Sequence, residues 1–250
     1  MSAVNGGLNV VKDGLVLYLD AANTTSYSTS GTRWSDLTIK NNNFTLINGP
    51  TFDNSNLGSI VFDGVNDYGN ISYNSSLSVS NAHTLESWFY STGRGTSAIY
   101  DGAGHLMRGG QIEDNQFQLN YIYDLGAIGY GWFRSNSGDP YPSAGSFNTI
   151  LSPNNVAPAN QWNLATATRD GSTIKIYVNG VLLQTSTGQT ISSNTSWTTY
   201  VGGSLTLGRC TGNSNLNYKG KIAISRIYNR ALSDSEVLQN FNAQKYRFGL

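Results

Sequence analysis

Apolar and polar residues alternate along much of this chain, most clearly between Trp162 and Thr185. Over Trp162–Thr168, the residues Trp162, Leu164, Ala165 and Ala167 stand against polar neighbours, and over Thr173–Val178, Ile174, Ile176 and Val178 alternate with Thr173, Lys175 and Tyr177. A period of two is the repeat of a strand with one buried face. Arg169-Asp170-Gly171-Ser172 separates the two runs, and Asp-Gly accepts the positive φ angles of a tight hairpin turn. Asn179-Gly180 follows and sends Val181–Thr185 back, so the segment predicts an antiparallel meander.

Shorter runs predict strands at Leu15–Leu19, Phe44–Ile47, Ser59–Phe62, from Tyr68 to Ile71, and at His83–Tyr90. In the last of these, Leu85, Ser87 and Phe89 face one side and Glu86, Trp88 and Tyr90 the other. The centre, Ser91 to Asn160, is less regular. Its strand candidates are Ser97–Tyr100, Gln116–Ile122, Ala127–Arg134 and Phe147–Leu151, with Gly102–Asn115 and Asn136–Ser146 read as polar loops. Gln189–Ile191, Leu205–Gly208 and Gly220–Tyr228 complete the set. One short helix is expected at Ser233–Asn242, where Ser233 and Glu236 form a capping box ahead of the stripe Val237, Leu238 and Phe241. Many short strands, frequent turns, no internal repeat and no linker predict one all-β domain, a sandwich or jelly roll, over residues 14–250, after an N-terminal arm at residues 1–13.

At 250 residues the chain is long enough to bury a large core without covalent staples. Its single cysteine, Cys210, rules out an intrachain disulfide and fits assembly in a reducing cytoplasm. Fifteen basic and 15 acidic residues balance. No basic stripe exists for a nucleic acid and no polybasic run for a membrane surface. The opening MSAVNGGLNVVKDGLVLYLD lacks the basic start and unbroken apolar stretch of a signal peptide. The expectation is a protein made in the cytoplasm of its host, leaving it by lysis or within a particle.

Glycoside hydrolysis needs two carboxylates flanking the scissile bond. The three glutamates, Glu86, Glu113 and Glu236, stand in no such pattern, and His83 and His105 form no HExxH motif, so no enzyme is expected. Sugar binding asks for aromatic faces beside polar groups. Tyr121, Tyr123, Tyr130, Trp132 and Tyr141 supply candidates, Tyr130 and Trp132 sharing one strand face; ordinary core packing is the competing reading. Calcium needs several loop oxygens, and Asp63, Asn66, Asp67, Asp101 and Asp114 are the candidates. For Asp63-Gly64-Val65-Asn66-Asp67 a turn bonded to its own backbone is the alternative. No other cofactor is expected.

Six pieces in order carry a resemblance: Gly14–Asn23 with Trp34-Ser35-Asp36-Leu37, SIVFDGVNDY at Ser59–Tyr68, Thr84–Phe89, the Trp162–Thr185 meander with its Tyr-Val-Asn-Gly, LTLGR at Leu205–Arg209, and RIYNRALS at Arg226–Ser233. Together they resemble the laminin-G-like, concanavalin A-like lectin-glucanase family. The resemblance implies a jelly roll of two antiparallel sheets with one short C-terminal helix, and surface recognition, with hydrolysis in some branches. The family's closing strand often carries an Asp-Glu pair that helps to hold a structural calcium; Ile222–Tyr228 has neither acid, which puts that site in doubt. The ending QNFNAQKYRFGL, Gln239–Leu250, is similar to laminin-G-like proteins of tailed phages, marine and cyanobacterial ones especially. That implies a virion surface protein: head decoration, head fibre or tail appendage. Its partners would be other virion proteins and host or environmental glycans. A homo-oligomer, a trimer by analogy with viral decoration proteins, is a further expectation. A dedicated carbohydrate-binding adhesion module and a glycoside hydrolase on the same fold are the alternatives. Whether the tail from Lys245 to Leu250 docks on its own sandwich or on a partner stays open.

Overall fold

The structure, a computed structural model, describes residues 9–72, 74–77, 82–95, 103–109, 117–133, 147–189, 204–209 and 216–250. The described strands run in chain order as β1 (Leu15–Asp20), β2 (Arg33–Trp34), β3 (Phe44–Ile47), β4 (Thr51–Asp53), β5 (Ser59–Asp63), β6 (Tyr68–Ser72), β7 (Ala82–Gly93) and β8 (Ala103–Gly109). They continue as β9 (Phe117–Ile122), β10 (Ala127–Phe133), β11 (Phe147–Leu151), β12 (Trp162–Asp170), β13 (Thr173–Val178), β14 (Val181–Ser186), β15 (Ser204–Leu207) and β16 (Lys219–Tyr228). Helix α1 (Asp234–Gln244) follows and passes into a 3₁₀ turn at Lys245–Phe248.

The strands form two antiparallel sheets. Sheet I has the order β14-β13-β12-β7-β16-β5-β4, with β1 also pairing β16. Sheet II has the order β11-β10-β9-β8-β15-β6-β3-β2. Between them lies the main core, in which Leu85, Phe89, Ala165, Ala167, Ile174 and Ile176 of sheet I meet Leu119, Tyr121, Ile128, Tyr130, Leu205 and Leu207 of sheet II. The expected all-β sandwich of two antiparallel sheets with one short C-terminal helix is therefore the observed fold.

The meander is built as its pattern predicts. Thr168 pairs with Lys175 across the first hairpin, and Gly171 takes φ +56° in its turn. Asn179 and Gly180 both have positive φ, the signature of the tight turn that matches strand twist. Asn179 adds a second role: its Oδ1 accepts from Leu164 N at 2.8 Å, which ties the turn to the neighbouring strand.

The centre of sheet I is buried on both faces. Its inner face meets sheet II. Its outer face carries Trp88, Trp162, Leu164, Ala223 and Ile224, covered by Phe248 and Phe241 of the C-terminal segment. Phe248 stacks on Trp88, centroids 4.1 Å apart, and leans on Trp162 at 4.8 Å. Arg247 pairs with Asp20 at 2.7 Å and donates to the carbonyls of Asn56 and Gly58. The tail thus docks on its own sandwich. The start of the described chain joins the same cover: Val11 is buried, its N–H donates to Asn240 Oδ1 at 2.8 Å, and its carbonyl accepts from the Tyr228 hydroxyl.

Two expectations need correction. Gly102–Asn115 is not all loop, because β8 runs through it as a central strand of sheet II, buried at every position. Its two glycines, His105 and Arg108 hide the alternation, and a bulge between His105 and Met107 breaks the period. In α1, Leu238 is 45% exposed and Asn240 is buried instead, so the stripe is Val237, Asn240 and Phe241. Ser97–Tyr100 and Cys210 lie outside the described residues, as does all of Gln189–Ile191 except Gln189, which is not in a strand.

Candidate functional site

The outer face of sheet II differs in kind from that of sheet I. Leu119, Tyr121, Ile128 and Tyr130 point into the core, so the alternate positions Gln118, Asn120, Gly129 and Gly131 lie outward. The bulge in β8 sends Leu106 and Met107 both inward and leaves His105 and Arg108 outward, opposite Asn120 and Gln118. Register carries one polar row across all eight strands. From Thr149 in β11 it passes through Gly131, Gln118 and Arg108 to Thr206 in β15. From there it passes through Asn70 and Thr45 to Arg33 in β2. Beside it runs a shorter row of His105, Asn120, Gly129 and Leu151. The long row is exposed at Arg33, Thr45 and Thr149 and buried in its middle.

Two polar side chains of the short row are buried side by side. His105 is 2% exposed and Asn120 4% exposed. The two side chains face each other closely enough to interact, without a well-aligned hydrogen bond at either ring nitrogen or at Asn120 Oδ1, while Asn120 Nδ2 donates to Gln118 Oε1 at 3.2 Å. Burial lowers the His105 value to about 3; the charge of Arg108 acts the same way and Asn120 weakly the other. The ring is thus neutral at any ordinary pH. Gly129 keeps the neighbouring strand bare: a Cβ there would stand 3.0 Å from Leu151 Cδ2.

The aromatic candidates fall elsewhere. Tyr121 and Tyr130 are each 1% exposed and belong to the main core, so they offer no ring face to a sugar. This corrects the expected platform at Tyr121 and Tyr130, and the physical reason is the strand period itself: both stand at inward positions of β9 and β10. Burial pushes both phenols up to about 12, and the Tyr130 hydroxyl lies 2.9 Å from His83 Nε2. Tyr123 is half-buried, edge-on to Tyr121 at 6.3 Å. Trp132 is placed by its backbone, opposite Phe117 in β9 and Asn148 in β11. Tyr141 lies outside the described residues.

The calcium candidates Asp63, Asn66 and Asp67 form a self-bonded turn. Asp63 Oδ1 accepts from the amides of Val65, Asn66 and Asp67, and Asp67 Oδ2 accepts from Asp63 N at 3.0 Å. Those amides hold the Asp63 carboxyl below its usual range despite some burial, while burial raises Asp67. Among the described residues no three His, Cys, Asp or Glu side chains cluster as a metal site; Asp101 and Asp114 lie outside them.

The described glutamates are both engaged in structure. Glu86, fully buried, pairs with Arg226 at 2.9 Å and accepts from Thr166 and Asn240. Glu236 closes the capping box with Ser233 and binds Arg230 at 2.6 Å, which holds its carboxyl down to about 2. Glu113 lies outside the described residues.

A family model for the concanavalin A-like lectin/glucanases superfamily, laminin G type, matches residues 63–238. The chain belongs to this superfamily. No curated protein sequence matches it significantly. Among solved structures it is similar to the binding domain of Paraclostridial Mosquitocidal Protein 1, with TM-score 0.66 and 17% identity over 92% of this chain and 52% of that one. It is also similar to the ligand-binding domain of botulinum neurotoxin serotype D in complex with N-acetylneuraminic acid, with TM-score 0.65 and 14% identity over 93% and 51%. A third similar structure is domain 4 of AbnA, an extracellular arabinanase of Geobacillus stearothermophilus, in complex with arabinotriose; TM-score is 0.58 and identity 17% over 93% and 100%. The chain spans about half the length of the toxin binding domains it matches. Among the described residues no helix is long and apolar enough to cross a membrane.

Proposed function

We propose that this member of the superfamily is a non-catalytic, lectin-like protein that binds glycans. We place it on the surface of a tailed phage particle, as head decoration, head fibre or tail appendage. The observation that carries the binding reading is the polar row on the outer face of sheet II, in a fold whose sheet I outer face is sealed by its own tail. A sheet face lined by Gln, Asn, Thr, His and bare glycine backbone, with Arg33 and Arg108 in the same row, offers donors and acceptors of the kind that meet sugar hydroxyls. Two structures of similar fold were solved with sugars bound, N-acetylneuraminic acid in one and arabinotriose in the other. The engagement of Glu86 and Glu236 in ion pairs and a cap supports a role without hydrolysis.

The virion reading rests on the likeness of Gln239–Leu250 to phage proteins. Mass spectrometry of purified particles tests it: the chain at stoichiometric abundance is expected, and its absence from intact particles would remove the assignment. Saturable binding of the purified protein to host polysaccharide or to arabinotriose tests the glycan reading.

A further inference from the structure

We propose that Asn48 is a self-modifying site: the amide of Gly49 closes on its side chain, ammonia leaves, and an acid replaces the amide.

Three Asn-Gly pairs occur in the chain, at Asn5, Asn48 and Asn179. A glycine after asparagine leaves the attacking amide nitrogen unshielded, because no Cβ stands beside it. The structure describes the second and third pairs and sets them apart. Asn179 is held by both side-chain atoms: Oδ1 accepts from Leu164 N at 2.8 Å, and Nδ2 donates to Asn163 Oδ1 at 3.4 Å. Gly180 is packed under α1, where an added Cβ would stand 3.1 Å from Phe241 Cβ and 3.2 Å from Leu238 Cδ1. Asn48 and Gly49 are both exposed, just past the end of β3. A Cβ at Gly49 would meet nothing within 4 Å, so there is room for a ring to close. The Asn48 side chain donates from Nδ2 to the Asn66 carbonyl at 2.8 Å. That bond holds the nitrogen that leaves and not the carbon that is attacked.

The step balances without an oxidant or a reductant. Gly49 N bonds to Asn48 Cγ, the Cγ–Nδ2 bond breaks, and Nδ2 departs as ammonia with the Gly49 proton. Water then opens the cyclic imide, its hydroxyl going to a ring carbonyl and its hydrogen back to the nitrogen. Opening at Cγ gives aspartate, and opening at the main-chain carbonyl gives isoaspartate. Both lose the donor to Asn66, and aspartate sets an acceptor against an acceptor. The lost bond ties β3 to the Asp63–Asp67 turn, which joins β5 of sheet I to β6 of sheet II. Conversion of Asn48 therefore loosens that turn.

The test is a time course of the full chain at pH 8, folded and in urea, read by peptide mass spectrometry that resolves isoaspartate from aspartate. In the folded protein Asn48 is expected to convert more than about tenfold faster than Asn179, whose turn must first open. In urea the two rates are expected to converge. Equal rates in the folded protein, or an Asn48 that stays intact while the urea-unfolded chain converts, would overturn the proposal. Amide hydrogen exchange at Val65, Asn66 and Asp67 is expected to be about fivefold faster in the converted protein and in fresh Asn48→Asp, the loss of one hydrogen bond. Unchanged exchange in both would overturn the link to the turn. Neither readout involves a sugar, so the outcome is independent of the glycan reading.

Discussion

Glu86 and Arg226 are each fully buried and sit 2.9 Å apart beneath α1. Burial is the largest single influence and lowers the Arg226 value, yet Glu86, with Tyr228, Tyr18 and Asp20, together holds it raised. Removing one partner of such a pair strands the other charge, which costs about 3–5 kcal/mol. Glu86→Gln and Arg226→Met are each expected to lower stability by that order in urea titrations. A loss within about 0.5 kcal/mol would mean that the pair is hydrated. His105 gives a separate signature. Its folded value near 3 lies below the ordinary 6.5, so between those values the unfolded chain binds the extra proton. Stability is then fully kept above about pH 6.5 and lost as pH falls towards 3, by about 1.4 kcal/mol per unit where the slope is steepest. The carboxyls of Asp53 and Glu236, held near 2 chiefly by hydrogen bonds from Lys221 and Arg230, lose their contribution only as pH falls below their ordinary values near 4. A melting series from pH 7 to 5 isolates the histidine, and His105→Gln should flatten it; an unchanged slope would clear His105 of the effect. The face that Glu86 shares with Trp88 and Tyr90 was legible in the alternation of β7. Asn240 was not, because a polar residue on a helix normally faces water, and only the buried Glu86, Tyr228 and Val11 groups explain it.

The C-terminal segment is the element whose role the chain order conceals. Its capping box was legible, because Ser233 and Glu236 stand at the required spacing. Ser233→Ala is expected to cost about 1 kcal/mol. The docking of the tail was not legible: Phe248 is an aromatic among charged residues, and nothing local says that Trp88 and Trp162 await it. Phe248→Ala, which opens a hole against two indoles, is expected to cost about 3–5 kcal/mol in denaturant titrations. A change below about 1 kcal/mol would mean that the tail rests loosely on sheet I. The meander was read correctly because its turns are Asp-Gly and Asn-Gly, whose φ preferences are local. Strand β8 was missed because it is buried on both faces, where polar and apolar residues no longer alternate with exposure.

The two sheets differ in their outer faces. Sheet I is closed on its outer face by α1 and the tail, while sheet II presents a polar row whose middle is buried and whose ends are open. The fold itself was legible, since six short motifs in order and many period-two runs agree on a sandwich. The proposed binding face was not, because it is assembled by register between strands far apart in sequence, and the visible tyrosines drew attention to positions that turn inward. Glycan recognition is therefore expected to depend on polar groups of sheet II rather than on an aromatic stack. The most direct measurement is a pull-down of the purified protein on extracted surface polysaccharide of the host, run with calcium and with chelator. Wild-type protein is predicted to bind saturably in both. Absence of binding across host and environmental polysaccharides would contradict the glycan-binding account.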